Sequence, residues 1–248
     1  LGVATMTGTE LGLVTVMYSA QKGFSGGFAA FHVALIAGAG TLFVGLTGFV
    51  VGPLRRMEVL TIPEYYERRF NKPVRVVGAV ILVLAGVMNM GLFLKVGSMF
   101  IIGITGLPSD GPALQLVMIS LLVLVLLYTT LGGMISVVLT DYIQFVVLSF
   151  ALLLVTAMAI GELGWQHIFD TVRQVHGDAG FDPTMEGTGF GWSYVFWMVI
   201  AVGFVGGAVW PTAVSRALAM ESEVALRRQY CWSSISFAVR FLIPNFLG

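Results

Sequence analysis

Four charged side chains, Glu10, Lys95, Asp141 and Arg240, stand inside long apolar stretches of the 248-residue chain. A charge at the centre of a membrane-spanning helix costs roughly 2.5 to 3.5 kcal/mol on translocon-based scales, so residues retained there mark a path for ions or solutes, or a buried pair. Depth follows from the helical rise of 1.5 Å per residue. Glu10 lies twelve residues before Lys22 and Lys95 ten before Thr105, which puts both roughly 15 to 18 Å below the same boundary, near mid-depth. They are expected to pair there, as a structural ion pair or as part of a transport path. Arg240, twelve residues beyond Arg228, stands about 18 Å from the opposite boundary. Asp141, eight residues past Gly133, is shallower at about 12 Å. Just before Glu10, the run Ala4, Thr5, Met6, Thr7, Gly8, Thr9 places three hydroxyls and a glycine in an apolar setting. Such a run suits an unwound segment whose carbonyls and hydroxyls are hard oxygen ligands, the kind a small cation needs; the alternative is that Gly and Thr simply allow close helix packing.

The elements that must carry these residues are membrane helices. The chain is 57% hydrophobic and only 10% charged, with a mean hydropathy of +0.92, which excludes an ordinary soluble domain. Charge-free stretches long enough to cross ~30 Å of hydrocarbon give approximate spans 1–20, 26–52, 75–106, 112–131, 134–161, 189–215 and 230–248. Gly132-Gly133 is the break between the fourth and fifth, and Pro108, Asp110, Gly111 and Pro112 form the preceding turn. The loop 53–75 holds six basic residues, and the loop 216–228 holds Arg216, Arg227 and Arg228. Four spans separate the two loops, so they share a side, and their nine basic residues place that side in the cytoplasm. The external loop from Glu162 to Glu186 is expected to hold short helices.

Several function classes drop out. Thirteen basic and thirteen acidic residues balance to zero, which provides no basic surface for nucleic acid. The single Cys231 supports no disulfide framework, and no zinc-like cluster accompanies it. No His-Glu-x-x-His, Gly-x-Ser-x-Gly or paired intramembrane Asp is present, so an enzyme is not expected. The chain opens on Leu1 with no charged leader, and is expected to start inside a helix as a piece of a longer protein. Nothing in the pattern specifies an oligomeric state.

Two segments carry a family resemblance. Leu60 to Lys72, LTIPEYYERRFNK, resembles the cytoplasmic loop between the second and third core helices of the sodium:solute symporters. Leu127 to Gln144, LYTTLGGMISVVLTDYIQ, is similar to that family's Tyr-x-x-x-Gly-Gly…Thr-Asp-x-x-Gln signature. Ser215-Arg216 resembles the Gln-Arg found at the end of the sixth helix in many members, and Pro244 and Gly248 fit the seventh. The resemblance implies an all-α membrane protein with a LeuT-type inverted-repeat bundle, of which this chain would hold the first repeat and the start of the second. It implies sodium-coupled symport of a small solute by alternating access, in a multi-pass protein of the cell membrane, with sodium as coupling ion and the lipid bilayer as surroundings. A second expectation is the transporter-like sensor module of a membrane histidine kinase.

The resemblance also distributes roles. Sodium would be held near Gly2, Ala4, Thr5 and Thr7. The resemblance has Asp141 tune cation release on the cytoplasmic side; Thr9, Glu10 and Lys95 are expected in substrate binding or coupling from their own place in the apolar segments. Arg240, four residues before Pro244, stands where sugar carriers place a substrate-contacting Lys. Trp210 and Thr212 occupy the positions of the sugar carriers' Asn and gating Tyr, so a hexose is not expected. Lys95 and Arg240 against Glu10 leave one surplus positive charge, which favours an anionic solute such as a carboxylate.

Overall fold

The computed structural model describes residues 2–108, 111–186 and 189–248, apart from the side chain of Met134. Leu1, Asp110 and Gly187 lie outside the described residues. The chain is helical, with no strand among the described residues, and it is an all-α membrane protein. Helices are α1 (Gly2–Glu10), α2 (Leu13–Gly26), α3 (Phe31–Thr47), α4 (Val51–Arg56), α5 (Ile62–Arg69), α6 (Lys72–Thr105) and α7 (Pro112–Leu163), followed by α8 (Trp165–His176), α9 (Trp192–Met198), α10 (Pro211–Leu218) and α11 (Glu223–Leu247). Among the described residues, five stretches are long and apolar enough to cross a bilayer: Leu13–Thr47, Lys72–Thr105, Pro112–Gly133, Ile135–Leu163 and Trp192–Leu218. At 1.5 Å per residue the 34 residues of α6 reach about 51 Å, more than the ~30 Å of hydrocarbon.

The boundaries follow local chemistry. Thr61, Asn71 and Ser222 cap α5, α6 and α11 by accepting a hydrogen bond from the backbone N–H three residues on. Pro63, Pro73 and Pro211 sit in first turns, where a missing N–H is harmless. In α7 the backbone kinks at Gly133 (φ 56°, ψ −151°), a conformation that a side chain disfavours. Ser136 Oγ donates across the kink to the carbonyls of Tyr128 (3.1 Å) and Gly133 (3.0 Å), satisfying groups the break frees. Between α9 and α10 the chain winds as a π-helix over Val199–Gly206, then turns extended at Trp210 before Pro211 restarts it.

Two compact units share the chain, Leu1–Leu60 with Asp141–Gly248, and Thr61–Thr140. The second holds α5, α6 and the first half of α7, where Arg68 and Arg75 pair with Glu64 and Glu67. In the first, α11 packs along α3 and α2. Its core is Met6, Val44, Val51, Ala208, Ala213, Ala217, Leu226, Tyr230 and Phe237. Small residues let the helices approach: Gly45 sits against Cys231, and Gly40 against the carbonyl of Gly203.

The two loops expected on one side meet in this unit. Arg56 Nε donates to Glu223 at 2.8 Å, and Arg55 reaches the Glu221 carbonyl at 3.1 Å. Arg227 donates to the carbonyls of Gly45 and Leu46 at the C-terminal end of α3, a site where a cation meets the negative end of the helix dipole. The loop 162–186 contains α8 and a 3₁₀ turn over Gly177–Gly180.

Candidate functional site

The first expected span is two helices. The break falls at Leu11 and Gly12, the latter fully extended (φ −111°, ψ 172°), after Glu10 and not within the threonine run before it. The reason is local. Thr5 Oγ donates back to the Gly2 carbonyl (3.2 Å) and Thr9 Oγ to that of Thr5 (2.8 Å), while the Leu11 N–H reaches the Thr7 carbonyl, so the hydroxyls serve the helix they were expected to open. At the break, the Leu11 carbonyl accepts 2.7 Å from Gln144 Nε2 on α7. Asp141 and Gln144 lie three residues apart on one face of α7, and both reach α1.

Thr9 and Glu10, about 100° apart around α1, point into two separate clusters of the same composition. In one, Asp141 Oδ2 accepts from Arg216 Nη2 at 2.8 Å and, at 2.6 Å, shares with the Thr5 carbonyl the single proton of Thr9 Oγ, which itself accepts from Arg216 Nη2 at 3.1 Å. Both charged side chains are 12% exposed. The backbone of Gly8 lies so close to Asp141 that a Cβ would stand 2.3 Å from its carbonyl oxygen, so only glycine admits this approach. In the other cluster Glu10 Oε2 accepts from Arg240 Nη1 at 3.1 Å, and Oε1 from Thr212 Oγ at 2.7 Å. Thr15 Oγ takes the Glu10 carbonyl at 3.0 Å. Arg240 is 7% exposed at its side chain and stacks over Phe237 (4.0 Å) and Phe241 (4.7 Å), which shield the charge with aromatic faces.

Each carboxylate thus has one arginine and one threonine, and α1 is held from both sides at its C-terminal end. Buried pairs of this kind are net neutral, and their residual donors are telling: Arg216 Nε and Arg240 Nε are buried without a hydrogen-bond partner. Further along α1, Gln229 Nε2 donates to the Gly2 carbonyl (3.0 Å), leaving its Oε1 unpartnered, as is the buried Thr7 hydroxyl.

Of the expected site residues, Thr9, Glu10, Asp141, Thr212 and Arg240 enter these clusters, and Trp210 precedes α10 as its N-terminal flank. The carbonyls of Gly2, Thr5 and Thr7 are occupied by hydrogen bonds, and Ala4 stands in the same helical turn. The pairing of Glu10 with Lys95 is replaced by pairing with Arg240; Lys95 stands exposed on α6, in the other unit. Arg216, expected as a solvated loop cation in 216–228, is instead in the last turn of α10 and turned onto Asp141. Gln144, the last residue of the Thr-Asp-x-x-Gln motif, holds the break as well, and its place three positions after Asp141 on the same helix face is the sequence signal for that role.

An all-α chain whose described residues include five stretches able to cross a bilayer and two arginine–carboxylate pairs around α1 is a polytopic membrane protein with a polar interior. The model of the sodium:solute symporter family matches residues 2–245, and the chain belongs to that family. The sodium-dependent multivitamin transporter of Oryctolagus cuniculus is 33% identical over 125 residues, which are 49% of this chain and 18% of that protein. The chain therefore spans less than a fifth of that curated relative. No solved structure matches it.

Proposed function

We propose that this chain is part of a sodium-coupled symporter that carries a small polar solute across the cell membrane by alternating access, with a LeuT-type bundle as its frame. Membership of the family and the likeness to a sodium-dependent transporter support the sodium coupling. The observation that carries the reading is the double clamp on α1: adjacent residues Thr9 and Glu10 are each bound to an arginine–carboxylate cluster from α7, α10 and α11, right before the break at Leu11–Gly12. A helix held by discrete ion pairs beside a break has two definable arrangements, pairs made and pairs broken, and a ligand that prefers one of them shifts the balance. Sodium is cargo in this scheme. Thr7, with its buried unpartnered hydroxyl, supplies one oxygen toward it, and Gly2, Ala4 and Thr5 adjoin it along α1. No covalent chemistry is needed, and the protein acts as a carrier and not as an enzyme.

The proposed solute is anionic. Two guanidinium groups, Arg216 and Arg240, stand in the clusters beside α1, each with a buried Nε that has no hydrogen-bond partner and is suited to an anionic group. The loops 53–75 and 216–228 face the cytoplasm, consistent with the contact between α4 and the Glu221–Glu223 segment. Uptake by cells expressing the full-length protein tests the reading. Uptake should require sodium and be competed by monocarboxylates and not by hexoses. Selective hexose uptake would remove the anionic solute, and uptake unchanged when sodium is replaced by choline would remove the symport itself.

A further inference from the structure

Away from the clusters around α1, a cavity of about 570 Å³ lies beneath α8, where the ends of α2, α7 and α11 meet. Its volume falls within the ~300–1,000 Å³ of small-molecule sites. Ala159 and Leu163 on its wall belong to the last turns of the membrane stretch Ile135–Leu163, and α8 begins two residues further on. The cavity therefore stands at a membrane surface, and the one stretch Trp192–Leu218 separates that surface from the loop 216–228. Its rim is apolar: Phe24, Leu163 and Val175 are all exposed, which suits contact with lipid and not with water. Two features of the lining narrow the choice of occupant. The rings of Phe28, Trp165 and Phe246 stand 5.9 to 6.4 Å apart with planes within 12° of one another, and Phe28 and Phe246 line the cavity. Parallel rings present a flat wall, which a rigid fused-ring body covers at a lower entropic cost than a mobile acyl chain. Asn245, also on the lining and in the last turn of α11, donates from Nδ2 to the Ala30 carbonyl at 3.2 Å. A carbonyl can only accept, so the amide orientation is fixed and Oδ1 is an acceptor; it is buried with no partner.

We propose that this cavity binds a flat fused-ring lipid alcohol of the sterol type, drawn from the adjoining leaflet, with its rings against Phe28 and Phe246 and its hydroxyl donating to Asn245 Oδ1. The match is one of shape and of hydrogen-bond sense. The apolar rim admits a hydrocarbon body from the bilayer, the parallel rings receive a flat face, and the orphan acceptor calls for a neutral O–H donor. Depth agrees as well, because Asn245 in the last turn of α11 and Trp165 at the start of α8 lie at the level where a lipid hydroxyl meets the headgroup region. An occupant here touches α8 and the ends of α2, α7 and α11 together, so binding stabilises their contact by mass action. The site stands on the membrane fold alone and is independent of the sodium-coupled reading.

The test is photolabelling of the full-length protein in phosphatidylcholine nanodiscs with a diazirine analogue of cholesterol, the labelled peptides being mapped by mass spectrometry. Label is expected on α8, on residues 159–163 and on residues 245–247, and unlabelled cholesterol should compete it several-fold better than epicholesterol, whose hydroxyl points to the other face of the ring. Ala159→Trp from α7 and Val175→Trp from α8 each fill the opening from a different helix, and either should reduce the label at these positions several-fold. Leu124→Trp, on an exposed apolar position in the other unit, should leave it unchanged. Asn245→Leu should abolish the preference for cholesterol over epicholesterol. Label spread evenly over the apolar helices, or label at these positions unmoved by both Ala159→Trp and Val175→Trp, overturns the site. Equal competition by cholesterol and epicholesterol in the wild type overturns the hydroxyl contact, and equal competition by added oleic acid overturns the choice of a fused-ring lipid.

Discussion

Replacing Glu10 by Gln should destabilise the protein by about 3 kcal/mol, and replacing Arg240 by Met as well should recover most of the loss. The argument starts from burial. Arg240 is 7% exposed and Glu10 16% at the side chain, so neither charge can turn to water when its partner is removed. Removing one member of a buried ion pair typically costs 3–5 kcal/mol, because the survivor is left uncompensated in a poor solvent. The lower end applies here: the pair is joined by a single 3.1 Å contact, and the aromatic faces of Phe237 and Phe241 continue to attract the guanidinium in the single variant. Replacing both partners by groups of similar volume removes the penalty along with the attraction, and such double replacements are often neutral. The assay is reversible chemical unfolding of the full-length protein in mixed micelles, run as a double-mutant cycle. About 3 kcal/mol corresponds to a shift of over a hundredfold in the unfolding constant, well above the scatter of such measurements. A loss below 1 kcal/mol for Glu10→Gln, or a double variant no more stable than the singles, would refute the claim that these two side chains compensate each other.

Other expectations follow from single contacts. Gly8→Ala places a Cβ 2.3 Å from the Asp141 carbonyl oxygen, so α1 and α7 must separate; overpacking of about 1–3 kcal/mol and a large fall in uptake are expected, whereas Gly161→Ala, with nothing within 4 Å, should be silent in both assays. Gln144→Leu removes the hydrogen bond to the Leu11 carbonyl at a cost of about 1–2 kcal/mol and should speed hydrogen exchange at residues 11–14 more than in α3; equal exchange would show that the break is held by other groups. The Asp182 carboxyl is held below the usual carboxylate range by the Thr184 hydroxyl and then by its N–H. A depressed value means that this loop contact is present at neutral pH and lost as pH falls through the lowered value; Thr184→Val should move the Asp182 titration upward in NMR, and an unchanged or lower value contradicts the assignment.

Much of the site was legible because intramembrane charge is rare. Glu10, Asp141 and Arg240 stand out by residue type alone, and all three lie in the clusters around α1. Their partners were harder, since counting residues from a span boundary measures height along a helix and nothing about direction around it. Lys95 and Arg240 both fall near mid-depth by that count, so rise could not choose between them as the partner of Glu10, and only the 3.1 Å contact identifies Arg240. Arg216 escaped for a related reason. At the end of a span an arginine is ordinarily a solvated anchor, and only the turn of α10, set by the extended Trp210 and Pro211, directs it inward. The broken first helix was legible in kind but not in place. Threonine is a weak helix former when its hydroxyl competes for the backbone, yet in α1 the hydroxyls bond to carbonyls three and four residues back and keep the turn closed, so the break passes to Leu11–Gly12. The all-α architecture needed only composition and span length, because the bilayer leaves helices and closed barrels as the choices and the charge-free runs are far too long for strands.

The most direct test of the account is uptake of radiolabelled solute into proteoliposomes containing the full-length protein, under an inward sodium gradient and under an equal potassium gradient, for the wild type and for Asp141→Asn. The account predicts transient accumulation above equilibrium with sodium alone, and a slower turnover in Asp141→Asn with solute binding retained. Accumulation indifferent to the cation, or an Asp141→Asn variant with wild-type sodium kinetics, would contradict it.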